Sequence, residues 1–157
     1  MKKLLRETMK VRAWSFWNVF LLWIVRPSIL QIDENRCEVV IPLNWITRRR
    51  DIHAMYFGTL AMGADVAGGL IAFNMIEKRK VRVLFIFKDF KADFLKRAEG
   101  DVHFVNEDGP VIQRLLARTL ETGEREEATV HVTALVPKKL GSEPVAKFEL
   151  TLSLKRR

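Results

Sequence analysis

The clearest periodicity lies at the C-terminal end of the chain. In VAKFELTLSL (residues 145–154), Ala146, Phe148, Leu150, Leu152 and Leu154 share one side. Lys147, Glu149, Thr151 and Ser153 share the other, as in a half-buried strand. ATVHVTALV (128–136) alternates in the same way, and GDVHFVNE (100–107) is a shorter strand after a glycine turn. In VRVLFIFKDFKADFL (81–95), Val81, Val83, Phe85 and Phe87 have one parity and Phe90, Ala92 and Phe94 the opposite one. The switch across Lys88-Asp89 predicts a bulge in one long strand.

Between the last four strands, GPVIQRLLARTLETG (109–123) has proline near its start and glycine at its end. Ile112, Leu115, Leu116 and Leu120 follow helical spacing, so a short amphipathic helix is expected. Upstream, Phe57 to Ile76 has no proline, no alternation and too great a length for a strand. It reads as a mostly buried helix. Its glycines (58, 63, 68 and 69) lower helix propensity and therefore imply close packing against a sheet. Residues 35–45, NRCEVVIPLNW, form a strand with Cys37, Val39, Ile41 and Leu43 on one face, and Pro42 suggests an edge or a bulge.

The N-terminal AWSFWNVFLLWIV (13–25) predicts a helix that stops near Arg26-Pro27. Its bulky aromatics and the absence of a small-x-small site after it argue against a cleaved signal. Thirteen residues also fall short of the roughly 20 that span a bilayer. A helix packed on the domain body is the first expectation. Three tryptophans beside basic residues keep a second open, a helix lying in a membrane interface. The element order describes an α+β chain forming one domain over residues 1–157, an antiparallel sheet with one face around a hydrophobic helix and an extra N-terminal helix (1–27).

Charge adds a partner class. The net charge is +8, and residues 1–50 hold ten bases (Lys2, Lys3, Arg6, Lys10, Arg12, Arg26, Arg36, Arg48, Arg49 and Arg50) against four acids. That excess favours an anionic partner or simply a soluble basic surface. Nucleic acid is disfavoured, because the aromatics cluster in apolar segments instead of interleaving with the bases. The single Cys37 excludes an internal disulfide and fits a cytoplasmic protein. The three histidines have no metal-ligand spacing; His103 and His131 sit in alternating strands and are expected to be satisfied or surface imidazoles. No metal or cofactor is expected.

One residue stands out. In RRRDIHAMYFGTLAMGADVAGGLIAF (48–73), Asp65 is a lone carboxylate within an apolar helix. Such a group costs free energy unless it is paired, hydrated or used. Partners within reach include Thr59, an arginine or water.

VVIPLNWITRRRDIHAMYFGTLAMGAD (39–65) resembles the first-strand and central-helix region of the hotdog thioesterase superfamily. DFLKRAEGDV (93–102) resembles that family's recurrent Phe-Leu-Arg-Pro-Ala-x-Gly-Asp turn, with Lys96 and Arg97 replacing the Arg-Pro pair. The resemblance covers residues 35–155 and is closest to an uncharacterised branch related to phenylacetate-pathway-type acyl-CoA thioesterases. It implies a hotdog fold, a homodimer or dimer of dimers, and acyl-CoA sites at subunit interfaces.

In that family a helix carboxylate lies seven residues after the second Gly of a His-Gly-Gly motif. Gly58 matches that Gly, and Asp65 falls seven residues later. Phe57 stands in place of the first Gly, and the motif's His falls at Met55 or Tyr56; His53 is out of register. The catalytic set implied is Asp65 with the backbone of Gly58 and Phe57. Asp65 would activate water or attack directly, and each amide aimed at the developing oxyanion contributes on the order of 3 kcal/mol. Arg48, Arg49 and Arg50 are expected to bind the phosphates of coenzyme A, a part of the substrate, or else to form a solvated loop. Tyr56 and Met62 complete the expected substrate-binding set. The alternative to a thioesterase is a non-catalytic acyl- or lipid-binding or membrane-associated hotdog protein. A dehydratase would need an active-site histidine.

Overall fold

Phe57–Arg79 is one 23-residue helix, and the rest of the molecule is arranged around it. In the computed structural model, which describes residues 4–157, the elements run α1 (Leu5–Asn18), α2 (Phe20–Val25), β1 (Ser28–Ile32), β2 (Cys37–Ile41), β3 (Arg48–Arg49), β4 (Ala54–Met55) and α3 (Phe57–Arg79). They continue with β5 (Val83–Phe94), β6 (Val102–Asn106), α4 (Gly109–Thr122), β7 (Glu126–Leu135), α5 (Pro137–Leu140) and β8 (Pro144–Arg156). Six strands form one antiparallel sheet in the order β1-β2-β6-β7-β8-β5, and β3 and β4 form a separate two-residue ladder. The sheet wraps α3, as in the hotdog fold.

The inward set Ala146, Phe148, Leu150, Leu152 and Leu154 is fully buried, as the alternation predicts. Ser153 departs from it: its side chain is buried too, held by Arg125 Nη1 donating to its Oγ at 2.9 Å. The β5–β8 register shifts between Phe87 and Phe90, at the Lys88-Asp89 bulge that the parity switch predicts.

Small residues let α3 approach the sheet closely. Asn106 Nδ2 donates to the Ala67 carbonyl at 3.0 Å, and the Cys37 thiol donates to the same carbonyl at 3.2 Å. Strands β2 and β6 thus bond directly to the helix backbone. Burial pushes the Cys37 thiol pKa up to about 12.

Three features depart from expectation. Pro42 lies neither at a sheet edge nor in a bulge: β2 ends at Ile41 and pairs on both sides, with β1 and β6. Because Pro42 cannot donate to a ladder, it ends the strand. The strand β1 itself was not expected from the sequence. It forms an edge hairpin whose turn is closed by Asp33 Oδ1, accepting from the Asn35 and Arg36 amides at 2.8 Å each.

The N-terminal helix, expected as one helix over residues 1–27, runs from Leu5 among the described residues and breaks at Val19, whose φ of −142° leaves the helical region. The Asn18 side chain donates to the Trp14 carbonyl at 2.8 Å and so competes with the helical ladder just before the break. The expectation of a helix from residue 1 extends to residues 1–3, which lie outside the described residues.

Candidate functional site

The start of α3 is braced by the two segments that carry the sequence resemblance. The Leu43 amide donates to Asp101 Oδ1 at 2.9 Å, joining the Pro42–Asn44 loop to the Glu99–Asp101 turn. Asn44 Oδ1 accepts from the Ile46 and Thr47 amides at 2.8 and 3.2 Å, an Asx turn. The Thr47 carbonyl then accepts from the Tyr56 amide at 2.9 Å, and the Ala98 carbonyl from the Met55 amide at 2.8 Å. These bonds set the angle at which the chain enters the helix.

Tyr56 is the N-cap and offers no side-chain cap bond. The first bond closing the helix runs from the Leu60 amide to the Tyr56 carbonyl at 3.1 Å. The amides of Phe57, Gly58 and Thr59 precede it and carry the partial positive charge of the helix start. Phe57 is exposed, its ring 4.8 Å from Tyr56 and 6.1 Å from Phe94. The Tyr56 ring covers the face of Gly58: a Cβ there would lie 2.5 Å from Tyr56 Cε1. Close approach of a substrate on that face requires the exposed Tyr56 side chain to swing away.

Asp65 lies two turns further along. Among the described residues it has no hydrogen-bond or ion-pair partner, so neither Thr59 nor any arginine satisfies it. Its carboxylate is open to water but set in an apolar wall. The resulting partial desolvation raises its carboxyl above the ordinary value.

That wall belongs to a cavity of about 620 Å³ between α1–α2, α3 and the first half of β5. Trp14, Leu22, Leu70, Phe73, Phe85 and Phe87 form its apolar lining. Its polar lining includes Asp65, Arg157 and Ser15. The Ser15 hydroxyl is buried and has no hydrogen-bond partner among the described residues. Trp14 packs edge-on against Phe73 with ring centres 5.8 Å apart, which seats α1 on α3.

Of the expected site residues, the cavity takes only Asp65. Met62 is half-buried against the core. Arg48, Arg49 and Arg50 are exposed on the β3 side of the small ladder, where Arg48 pairs with Met55 next to the helix start. Arg49 is tied to Asp51 at 2.7 Å, while Arg48 and Arg50 have no ion pair among the described residues. Gly58 and Asp65 share a helix but are seven residues apart, about 10 Å along the axis. Within this chain the Gly58 amide and the Asp65 carboxylate therefore do not meet at one carbonyl group.

The histidines are accounted for structurally. His103 Nδ1 lies 2.8 Å from Glu38 Oε1, and His131 Nδ1 lies 2.8 Å from Asp108 Oδ2. His53 sits in an exposed turn with φ of +52°. The cavity-lining residues of α1 escaped the sequence reading. Their signal is the spacing of Thr8, Val11 and Ser15 along its inner face, masked by equally apolar residues on its outer face.

Solved structures share this fold. The fold is similar to that of a Pseudomonas aeruginosa protein of unknown function named a probable thioesterase, with a TM-score of 0.77 and 18% identity over 96% of each chain. It is similar to a Chlorobaculum tepidum protein of unknown function, with a TM-score of 0.83 and 9% identity over 99% of this chain and 98% of that one. It also resembles a thioesterase from Haemophilus influenzae, with a TM-score of 0.65 and 12% identity over 90% of this chain and 87% of that one. No curated protein matches. Residues 13–154 match the model of a family described as a domain of unknown function, DUF4442, and the chain belongs to that family.

Proposed function

We propose that the protein is a thioesterase that hydrolyses acyl-CoA esters with an apolar acyl or aryl chain. The observation that carries this reading is the unpartnered, water-accessible Asp65 carboxylate in the wall of the apolar cavity. A raised carboxyl pKa suits a general base that takes a proton from water and gives it up again. The cavity volume lies within the range of small-molecule sites.

In this reading, water adds to the thioester carbonyl carbon while Asp65 takes its proton. The oxyanion is held by the Phe57 and Gly58 amides, and the C–S bond then breaks. The sulfur leaves as thiolate and receives the proton from Asp65, giving a carboxylic acid and coenzyme A. Direct attack by Asp65 through an anhydride gives the same products. Of the three clustered arginines, Arg48 and Arg50 have no ion pair among the described residues and would take coenzyme A phosphates.

The separation of Gly58 from Asp65 leads us to place the site between two protomers, where one supplies the amides and the other the carboxylate. The edge strand β5 supports this arrangement. It leaves Leu84, Ile86, Phe90 and Phe94 exposed along an unpaired ladder, which strand-to-strand association would cover.

The test is thiol release from a series of acyl-CoAs of graded chain length, for the unmodified protein and Asp65→Asn. Turnover that falls by about a hundredfold or more in the variant, with the fold intact, supports the assignment. Near-normal turnover by Asp65→Asn removes it. A second reading, acyl binding without catalysis, is favoured by one observation: the Tyr56 ring lies over Gly58. Binding of acyl-CoA with no hydrolysis at any chain length would establish it.

A further inference from the structure

The outer face of the N-terminal helices is the largest concentration of exposed aromatic surface in the protein. Phe16, Trp17, Phe20 and Trp23 form one cluster, with Phe16 5.3, 5.7 and 5.5 Å from the other three rings and Phe20 stacked on Trp23 at 5.3 Å. All four are exposed, together with Leu5, Met9 and Leu21. Trp17 is 83% exposed and Leu21 65%. This face is turned away from the core; the opposite side of the same helices, with Val11, Ser15, Val19 and Leu22, lines the Asp65 cavity.

Aromatic packing here does not fill a core. The rings rest on each other and on water, a placement that costs free energy in isolation and signals an absent partner. The charges beside them identify its sign. Arg12, Arg26, Met9, Phe16, Trp17 and Trp23 border one shallow concavity. Across Leu4–Ile32 there are four bases (Arg6, Lys10, Arg12 and Arg26) and one acid, Glu7. Glu7 faces a different groove, shared with Arg6 and Lys10. The aromatic face therefore carries positive charge at its border and no carboxylate of its own helices.

Arg12 is held in place on that border. Its Nε donates to the Pro27 carbonyl at 3.2 Å, and its Nη2 donates to the Ser28 hydroxyl at 2.9 Å and the Arg26 carbonyl at 3.3 Å. Exposed Ile46, from the loop before β3, borders the same concavity. Tryptophan and phenylalanine beside arginine are the residues that settle at the headgroup boundary of a bilayer, rings toward the acyl chains and guanidinium toward phosphate. The helix break at Val19 leaves helices of 14 and six residues, each too short to span a bilayer.

We propose that this face docks on an anionic lipid surface, with Phe16, Trp17, Phe20, Leu21 and Trp23 entering the interface and Arg12 and Arg26 meeting lipid phosphates. Docking sets the roof of the Asp65 cavity against the bilayer, on the side where long apolar chains are found. The inference stands apart from the proposed hydrolysis, because lipid binding needs neither Asp65 nor coenzyme A.

The test uses full-length protein and two vesicle preparations, phosphatidylcholine alone and an equimolar mixture of phosphatidylcholine and phosphatidylglycerol. The protein should cosediment with the anionic vesicles, with tryptophan emission shifted to the blue and binding weakened by salt. Trp17→Ser combined with Leu21→Ser should weaken that binding about tenfold or more, with unchanged thermal melting because neither side chain is buried. Arg26→Gln should weaken binding to the anionic vesicles alone, by a few-fold. Three results would overturn the proposal: wild-type protein that sediments with neither vesicle, a Trp17/Leu21 double variant that binds as wild type, or a double variant whose only change is lost self-association. The last outcome would assign the face to a second copy of the chain.

Discussion

The ring of Phe104 occupies the place where a side chain at Gly63 would begin: a Cβ on Gly63 would lie 2.2 Å from two of its carbons. Phe104 is fully buried in β6 and has no room to retreat. Gly63→Ala gains helix propensity of about 1 kcal/mol but forces an overpacked core that costs about 1–3 kcal/mol or more. Gly68 supplies the contrast, because a Cβ there meets its nearest neighbour, Phe87, at an ordinary 3.4 Å. Urea unfolding should show Gly63→Ala destabilised and Gly68→Ala unchanged or stabilised.

Asp65 should make stability depend on pH in a direction opposite to that of a paired carboxylate. Its folded carboxyl is raised above the ordinary 3.8 by desolvation, so the folded state holds the proton more tightly than the unfolded one. Stability from this group is fully present below the ordinary value and is lost as pH rises through the folded value. Asp65→Asn should therefore melt higher than wild type at neutral pH, and the difference should close in acid. A variant that melts lower at neutral pH would reveal a partner for the carboxylate.

Cys37 is buried, and its thiol is pushed up to about 12. Since the thiolate is the nucleophile, folded protein should resist maleimide at mildly alkaline pH. Labelling should appear only across the urea transition and follow the same midpoint as the loss of secondary structure. Fast labelling in the native state would place Cys37 in a locally opening segment.

Asp101 ties the turn before β6 to the loop that leads into α3, through the Leu43 amide at 2.9 Å. Asp101→Ala leaves that half-buried amide without its acceptor and should cost about 1–2 kcal/mol in urea unfolding. Asp101→Asn keeps an acceptor oxygen and should recover part of the loss. Equal losses in both variants would mean that the charge, and not the bond, holds the loop.

Much of the sheet can be read from local pattern. The alternation in β7 and β8 places the inward residues, and the parity switch at Lys88-Asp89 locates the register shift against β8. The Pro-to-Gly punctuation of α4 also holds, with Gly123 at the left-handed C-cap at φ of +72°. These features are local: a period of two or of 3.6, or a residue with one conformational use. β1 is harder to read because only five residues carry it and its partner lies across an Asx turn.

The sequence by itself determined the α+β class with its central helix and main strands, the hotdog resemblance and the position of Asp65 within an apolar helix. Tertiary structure alone decided the environment of that carboxylate, because its neighbours Trp14, Ser15 and Leu22 come from the N-terminal helices and Phe85 and Phe87 from β5. It also decided which face of α1 and α2 is covered. Both faces are apolar, so no periodicity separates them, and only docking against Phe73 and the core assigns one to the cavity and leaves the other to solvent.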